Sequence, residues 1–192
     1  MVNLPFVLLY SAWVLFSLAY SHPRVRLKGH PIAGLLSIGL FQGAVTFLAG
    51  WAAARGDVGS ALGATGVAGA VAAAVLLLGL YPLTQLHQID EDRARGDRTV
   101  AVAWGPTTSF RIAFACQALG GMLLVLVLAA HFGVGDAVMV GAGLLVQLGL
   151  VWRWARRFDP AAVLQNYRTL MRLNTLSAAA LSAYFLGRLG TH

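Results

Sequence analysis

Apolar residues run through this chain in long blocks, and polar residues are gathered into the gaps between them. A helix needs about 20 apolar residues to cross a bilayer. Six stretches approach that length: near 4–20, 33–53, 62–86, 109–131, 135–152 and 173–190. The gaps carry turn and charge signals. They are Ser21-His-Pro-Arg24, Arg55-Gly-Asp57, an acidic stretch followed by Gly105-Pro106, Phe132 to Asp136, and Arg153 to Arg172 with Asp159-Pro160 inside it. Gly and Ala are frequent within the blocks, as from Gly63 to Ala74. Small residues let membrane helices approach closely, although a plain composition bias would look the same. The expected fold is all-α: a polytopic membrane bundle of about six transmembrane helices, forming a single transmembrane domain.

Composition agrees with that pattern. Of 192 residues, 58% are hydrophobic and 11% are charged, against about 25% charged in a soluble domain. Mean hydropathy is +0.73. The net charge of +7 raises nucleic acid as a partner, but the distribution of the basic residues accounts for it better. When loops are assigned alternately to two sides, Arg24, Arg26, Lys28, Arg93, Arg95, Arg98, Arg111, Arg153, Arg156, Arg157, Arg168 and Arg172 fall together, leaving only Arg55 and Arg188 opposite. The positive-inside rule puts the larger set in the cytoplasm. The expectation is therefore a protein of the cell (inner, cytoplasmic) membrane, with the lipid bilayer as partner and no nucleic acid. Its N-terminus would lie outside, although Met1-Val-Asn-Leu-Pro5 lacks the basic n-region of a standard signal peptide. The single cysteine, Cys116, sits in an apolar block, so no disulfide forms within one chain.

The chemistry concentrates in Tyr81 to Thr99. This stretch holds Asp90, Glu91, Asp92 and Asp97, four of the seven acidic residues, together with Arg93, Arg95 and Arg98. Acidic groups at the mouth of a membrane segment are costly unless something cationic pairs with them. If the preceding helix continues, Gln85, Gln88 and Asp92 share one face, and His87 and Glu91 form a neighbouring i, i+4 pair. Carboxylate and amide oxygens on one side suit Mg²⁺, a hard ion that keeps waters and bridges to phosphate oxygens. Arg24, Arg26 and Lys28 on the first cytoplasmic loop could pair with such a phosphate. Arg168 and Arg172, at i, i+4, could also reach an anionic ligand. The alternatives are a solvated, self-neutralising loop for Asp90 to Arg98 and inside-facing membrane anchors for Arg168 and Arg172. His22, His30 and His87 show no zinc-like pairing and read as loop or interface residues.

Three local patterns then resemble the UbiA superfamily of intramembrane aromatic prenyltransferases. Tyr20-Ser-His-Pro-Arg-Val-Arg-Leu-Lys28 resembles the family's Tyr-Ser-x-Pro-x-x-(basic)-x-Lys loop. Gln88-Ile-Asp-Glu-Asp92-Arg-Ala-Arg-Gly96-Asp-Arg-Thr99, followed by Gly105, resembles its second aspartate-rich motif. The spacing between the two, across two helices, also agrees. The resemblance implies Mg²⁺-dependent transfer of an isoprenyl group from a prenyl diphosphate donor to an aromatic or other lipophilic acceptor within the membrane. It implies Asp92 as a metal ligand with Asp90 and Glu91 as neighbours, Arg98 as a diphosphate contact, and Tyr20, Ser21 and Lys28 along the donor site.

The chain departs from the pattern in two places. Gln88 stands where the family usually has the motif's first aspartate, leaving an oxygen ligand without charge. No Asn-Asp-x-x-Asp first motif occurs in the chain. The resemblance corresponds to the family's C-terminal two-thirds, starting near its fourth helix, so the expectation is an N-terminally incomplete domain. The other expectations are a non-catalytic truncated relative, which the missing motif favours, and a small membrane transporter, for which polar residues midway along the helices are too scarce.

Overall fold

The computed structural model describes residues 3–189, excluding the side chain of Leu189. The expected end of the last span at 190 lies outside them. Seven helices are described: α1 (Leu4–Ser21), α2 (Pro31–Arg55), α3 (Ala64–Thr84), α4 (Ile89–Ala94), α5 (Val100–His131), α6 (Val134–Arg156) and α7 (Val163–Leu189). No strand occurs among the described residues. The fold class is the expected all-helical bundle.

Local sequence explains the helix boundaries. Asn3 caps α1 by accepting from the Phe6 N–H at 2.9 Å, with proline in the first turn. Its amide also donates to the Ala52 carbonyl, tying the start of α1 to the end of α2. In the middle of α2, Ile38–Val45 winds more widely, as a π-helix. That stretch packs so closely on α3 that a methyl group at Gly43 would overlap the Ala74 backbone. α5 begins at Val100 rather than near 109 and bends at Gly105 (φ 78°), just before Pro106.

Five helices, α1, α2, α3, α5 and α6, are long and apolar enough to cross a membrane. The sixth expected span, within α7, is long enough but does not reach the same apolarity. Gln165, Asn166, Arg168, Thr169, Arg172 and Asn174 occupy its first half. It nevertheless lies along the full length of α6. The Trp154 indole N–H near the end of α6 donates to Asn166 at 3.1 Å, and Tyr184 donates to Asp136 near its start at 2.9 Å. The chain is an integral membrane protein.

α3 is the central element, packed between the π-helical part of α2 and α5. At one end of the bundle a buried core joins four helices. Leu83, near the end of α3, and the following Leu86 meet Phe110 of α5, Trp154 of α6 and Leu173 of α7. Phe110 and Trp154 stand edge to face, 5.3 Å apart. In lipid, such packing stabilises through close contact rather than water release. This core forms the floor under the charged loops.

Candidate functional site

The acidic stretch folds around a break in the helix. α3 stops at Thr84, and residues 85–88 turn through i→i−3 bonds, Gln85 to Pro82, Leu86 to Leu83 and Gln88 to Gln85. The expected continuous face of Gln85, Gln88 and Asp92 is therefore interrupted. The helix restarts as α4 at Ile89 and runs to Ala94, and the chain turns at Gly96, whose φ of 76° favours a residue without a Cβ. The Gly96 N–H returns to the Arg93 carbonyl at 3.1 Å, and the Asp97 N–H to that of Asp92 at 2.9 Å. This Schellman-type end folds Asp97 back beside Asp92.

The first loop docks onto that turn. Arg26 has a left-handed backbone (φ 41°, ψ 53°), strained for a residue with a Cβ. Its guanidinium grips Asp97 through both nitrogen–oxygen pairs, at 2.6 and 2.8 Å. A second link is the Arg98 N–H donating to the Gly29 carbonyl at 2.8 Å. A Cβ at Gly29 would stand 2.8 Å from Asp97 Oδ1, so only glycine lets the loops approach this closely. The Arg26 guanidinium holds the Asp97 carboxyl below the usual carboxylate range.

Between the loops lies a recess of about 130 Å³, room for about four waters. Tyr20 and Lys28 enter it from the first loop and the end of α1. Tyr81, Thr84 and Gln85 line it from α3 and the turn. Gln88, Asp92, Arg95, Asp97 and Thr99 complete it. The Tyr20 hydroxyl donates to that of Tyr81 at 3.0 Å. Asp92 accepts from Arg95 at 2.9 Å and from the Thr99 hydroxyl at 3.2 Å. The Gln85 side-chain oxygen, Oε1, accepts from the Ala101 N–H at 3.3 Å, fixing the turn to the start of α5.

Of the residues singled out in the sequence, Tyr20, Lys28, Gln85, Gln88 and Asp92 come together in this recess. The others lie elsewhere. Asp90 and Glu91 have side chains 85% and 65% exposed, and they pair with Arg93 and Arg95. Ser21 and Arg24 are exposed. Arg26 holds Asp97 rather than lining the recess. Arg98 contributes its backbone while its side chain faces out. Arg172 lines a different cavity, and Arg168 lines neither. The expected His87–Glu91 pairing is replaced: His87 lies against the Tyr167 ring and bonds to the Gln88 amide at 3.0 Å. Burial holds this imidazole below its ordinary range. Sequence reasoning assigned no role to Asp97, Arg95 and Thr99, although all three lie in the quoted motif. The clue was the glycine at 96, which turns the chain so that Asp97 follows Asp92 into the same space.

No cluster of three His, Cys, Asp or Glu side chains occurs among the described residues. Mg²⁺, however, is commonly held by one or two carboxylates plus substrate phosphates. Asp92, Asp97, Gln85 and Gln88 present only oxygen-type metal donors to the recess, so the residues fit such an ion.

The family model of the UbiA prenyltransferase family matches residues 1–176. No curated protein and no solved structure matches the chain.

Proposed function

The chain belongs to the UbiA prenyltransferase family, and on that premise we propose that it transfers an isoprenyl group from a prenyl diphosphate to an aromatic or other lipophilic acceptor in the membrane, with Mg²⁺ as cofactor. The observation that carries the reading is the recess itself. It gathers Tyr20 and Lys28 of one motif with Gln88 and Asp92 of the other, although they are distant in sequence.

Asp92 and Gln88 would hold the metal. When bound, Mg²⁺ would offset charge on the diphosphate as the bond to the allylic carbon breaks. Lys28 and Arg95 supply cationic donors for the same oxygens. The Tyr20 and Tyr81 hydroxyls share one hydrogen bond at 3.0 Å, which leaves the other proton of the pair to meet a diphosphate oxygen. These groups are fixed before the donor arrives, and such preorganisation favours departure of a charged leaving group. The reading also places both motif loops on the cytoplasmic side, and labelling of an Arg24→Cys variant from one membrane face checks that placement.

The main experiment follows a labelled prenyl group from prenyl diphosphates of graded length into membrane lipids, with and without Mg²⁺. Asp92→Asn should lower turnover about 100-fold or more; unchanged turnover refutes the metal assignment. A second reading, a non-catalytic relative, draws on one feature. Arg95 and Arg26 already neutralise Asp92 and Asp97. No transfer by the intact chain with any donor would favour it.

A further inference from the structure

A cavity larger than the recess lies apart from it, between α6 and α7, with a volume of about 380 Å³. Its two helices run antiparallel, so their sequences order its wall by depth. Along α6, Leu150 is followed by Arg153, and Arg157 stands just past its end. Along α7, Gln165 and Thr169 precede Arg172, Leu173 and Leu176. The Trp154–Asn166 bond sets the register, so Arg153 and Arg157 stand toward the loop end while Arg172 stands deeper, beside Leu173 and near the level of Leu150. Side chains lean toward a helix N-terminus, which brings Arg172 back toward the other two, and Leu150, Leu173 and Leu176 line the end nearer the middle of the bundle. From Arg157 to Leu150 the wall spans about 10 Å at 1.5 Å per residue, the length of a phosphoglycerol headgroup with its first acyl carbons. Leu150 and Leu176 are 37% and 61% exposed, so the apolar end opens onto the lipid-facing surface.

The charge in this cavity is unbalanced. None of the ion pairs among the described residues involves Arg153, Arg157 or Arg172. The nearest acid in sequence, Asp159, is turned to the Ala161 N–H at 2.9 Å. Asn166 is also committed, between the Trp154 indole and the Asp159 carbonyl. The cavity shares no lining residue with the recess, and the core of Leu83, Leu86, Trp154 and Leu173 lies between them.

We infer that the α6–α7 cavity binds the headgroup of an anionic phospholipid, its phosphodiester held by Arg153, Arg157 and Arg172 and its first acyl segment resting on Leu150 and Leu176. Guanidinium groups suit phosphate through paired, charge-assisted bonds, and basic pockets between membrane helices suit acidic lipids. An apolar floor continuous with the lipid-facing surface favours a lipid over a free phosphate.

Native mass spectrometry of the delipidated full chain tests this, titrated with phosphatidylglycerol or phosphatidylcholine carrying the same acyl chains. One phosphatidylglycerol should bind per chain, about tenfold or more tighter than phosphatidylcholine. Each of Arg153→Gln, Arg157→Gln and Arg172→Gln should weaken it about fivefold. Arg111→Gln, with the same charge change outside the cavity, should leave it within about twofold of the original. Equal affinity for the two lipids overturns the inference in the unaltered protein, whatever the variants do. Unchanged phosphatidylglycerol affinity in the cavity variants overturns it too. Displacement by millimolar inorganic phosphate would assign the cavity to a free anion, and displacement by farnesyl diphosphate would assign it to the donor; either result refutes the lipid. None of these readouts depends on prenyl transfer, so the inference and the proposed reaction fail separately.

Discussion

Gly29→Ala isolates the docking of the two loops without removing any group that lines the recess. The added Cβ would lie 2.8 Å from Asp97 Oδ1, whereas carbon and oxygen normally meet at about 3.3–3.6 Å. One of them must move by roughly 0.5–0.8 Å. Asp97 cannot yield freely, because Arg26 holds both of its oxygens at 2.6 and 2.8 Å. Nor can the Gly29 backbone, because its carbonyl accepts from Arg98 at 2.8 Å. Overpacking of this kind costs about 1–3 kcal/mol. Displacement of Lys28, the next residue, by a comparable distance should lower prenyl transfer by about 10- to 100-fold. The assay pairs thermal unfolding in detergent with transfer of a labelled prenyl group in membranes. Asp97→Ala removes the obstructing oxygen, so adding Gly29→Ala to it should cost little more in stability. Equal stability losses in the wild-type and Asp97→Ala backgrounds would refute the steric account, as would a Gly29→Ala protein with unaltered stability and turnover.

Other consequences can be measured with the same preparations. Asp90→Asn and Glu91→Gln, whose side chains are largely exposed, should keep turnover within about threefold, and a loss comparable to that of Asp92→Asn would return them to the metal site. In a double-mutant cycle of Trp154→Phe and Asn166→Ala, the coupling should be about 1 kcal/mol, since both groups are buried and bonded at 3.1 Å; no coupling would argue against that bond. Asp97 titrates below its ordinary 3.8 in the folded protein, so its ion pair contributes fully above that value and is lost as pH falls through the lower one. The stability advantage over Asp97→Asn should therefore be level between about pH 8 and 5 and shrink only in stronger acid; a decline already at pH 6 would contradict the sign.

Much of the bundle was legible in the sequence because membrane helices declare themselves by length and apolarity. Five expected spans returned as helices of that kind. The sixth did not reach the same apolarity, because Arg168, Arg172 and their polar neighbours share a helix with the apolar stretch, and α6 supplies partners such as Trp154. Local motifs also carried real information about the recess, bringing Tyr20, Lys28, Gln88 and Asp92 to one place. What could not be read was partnership over distance. Arg26 looked like a free cation for phosphate, yet its carboxylate lies 71 residues away. The helical spacing of Gln85, Gln88 and Asp92 suggested one face, but the chain turns after Thr84. No local pattern distinguished Arg172, beside its own cavity, from Arg168 one turn earlier.

The grip of Arg26 on Asp97 also bears on how the protein is made. The two residues belong to separate hairpins, and the earlier one, α1 and α2, is complete long before Asp97 is synthesised. During that interval the left-handed turn at Arg26 has no carboxylate to hold it, and Gly29 has no Arg98 amide to receive. The first hairpin can be threaded into the bilayer, but its loop cannot take its final form until the second has been delivered. Formation of this site thus ends with a latch between an early and a late segment, and a chain that stops before residue 97 lacks the carboxylate that closes the first loop.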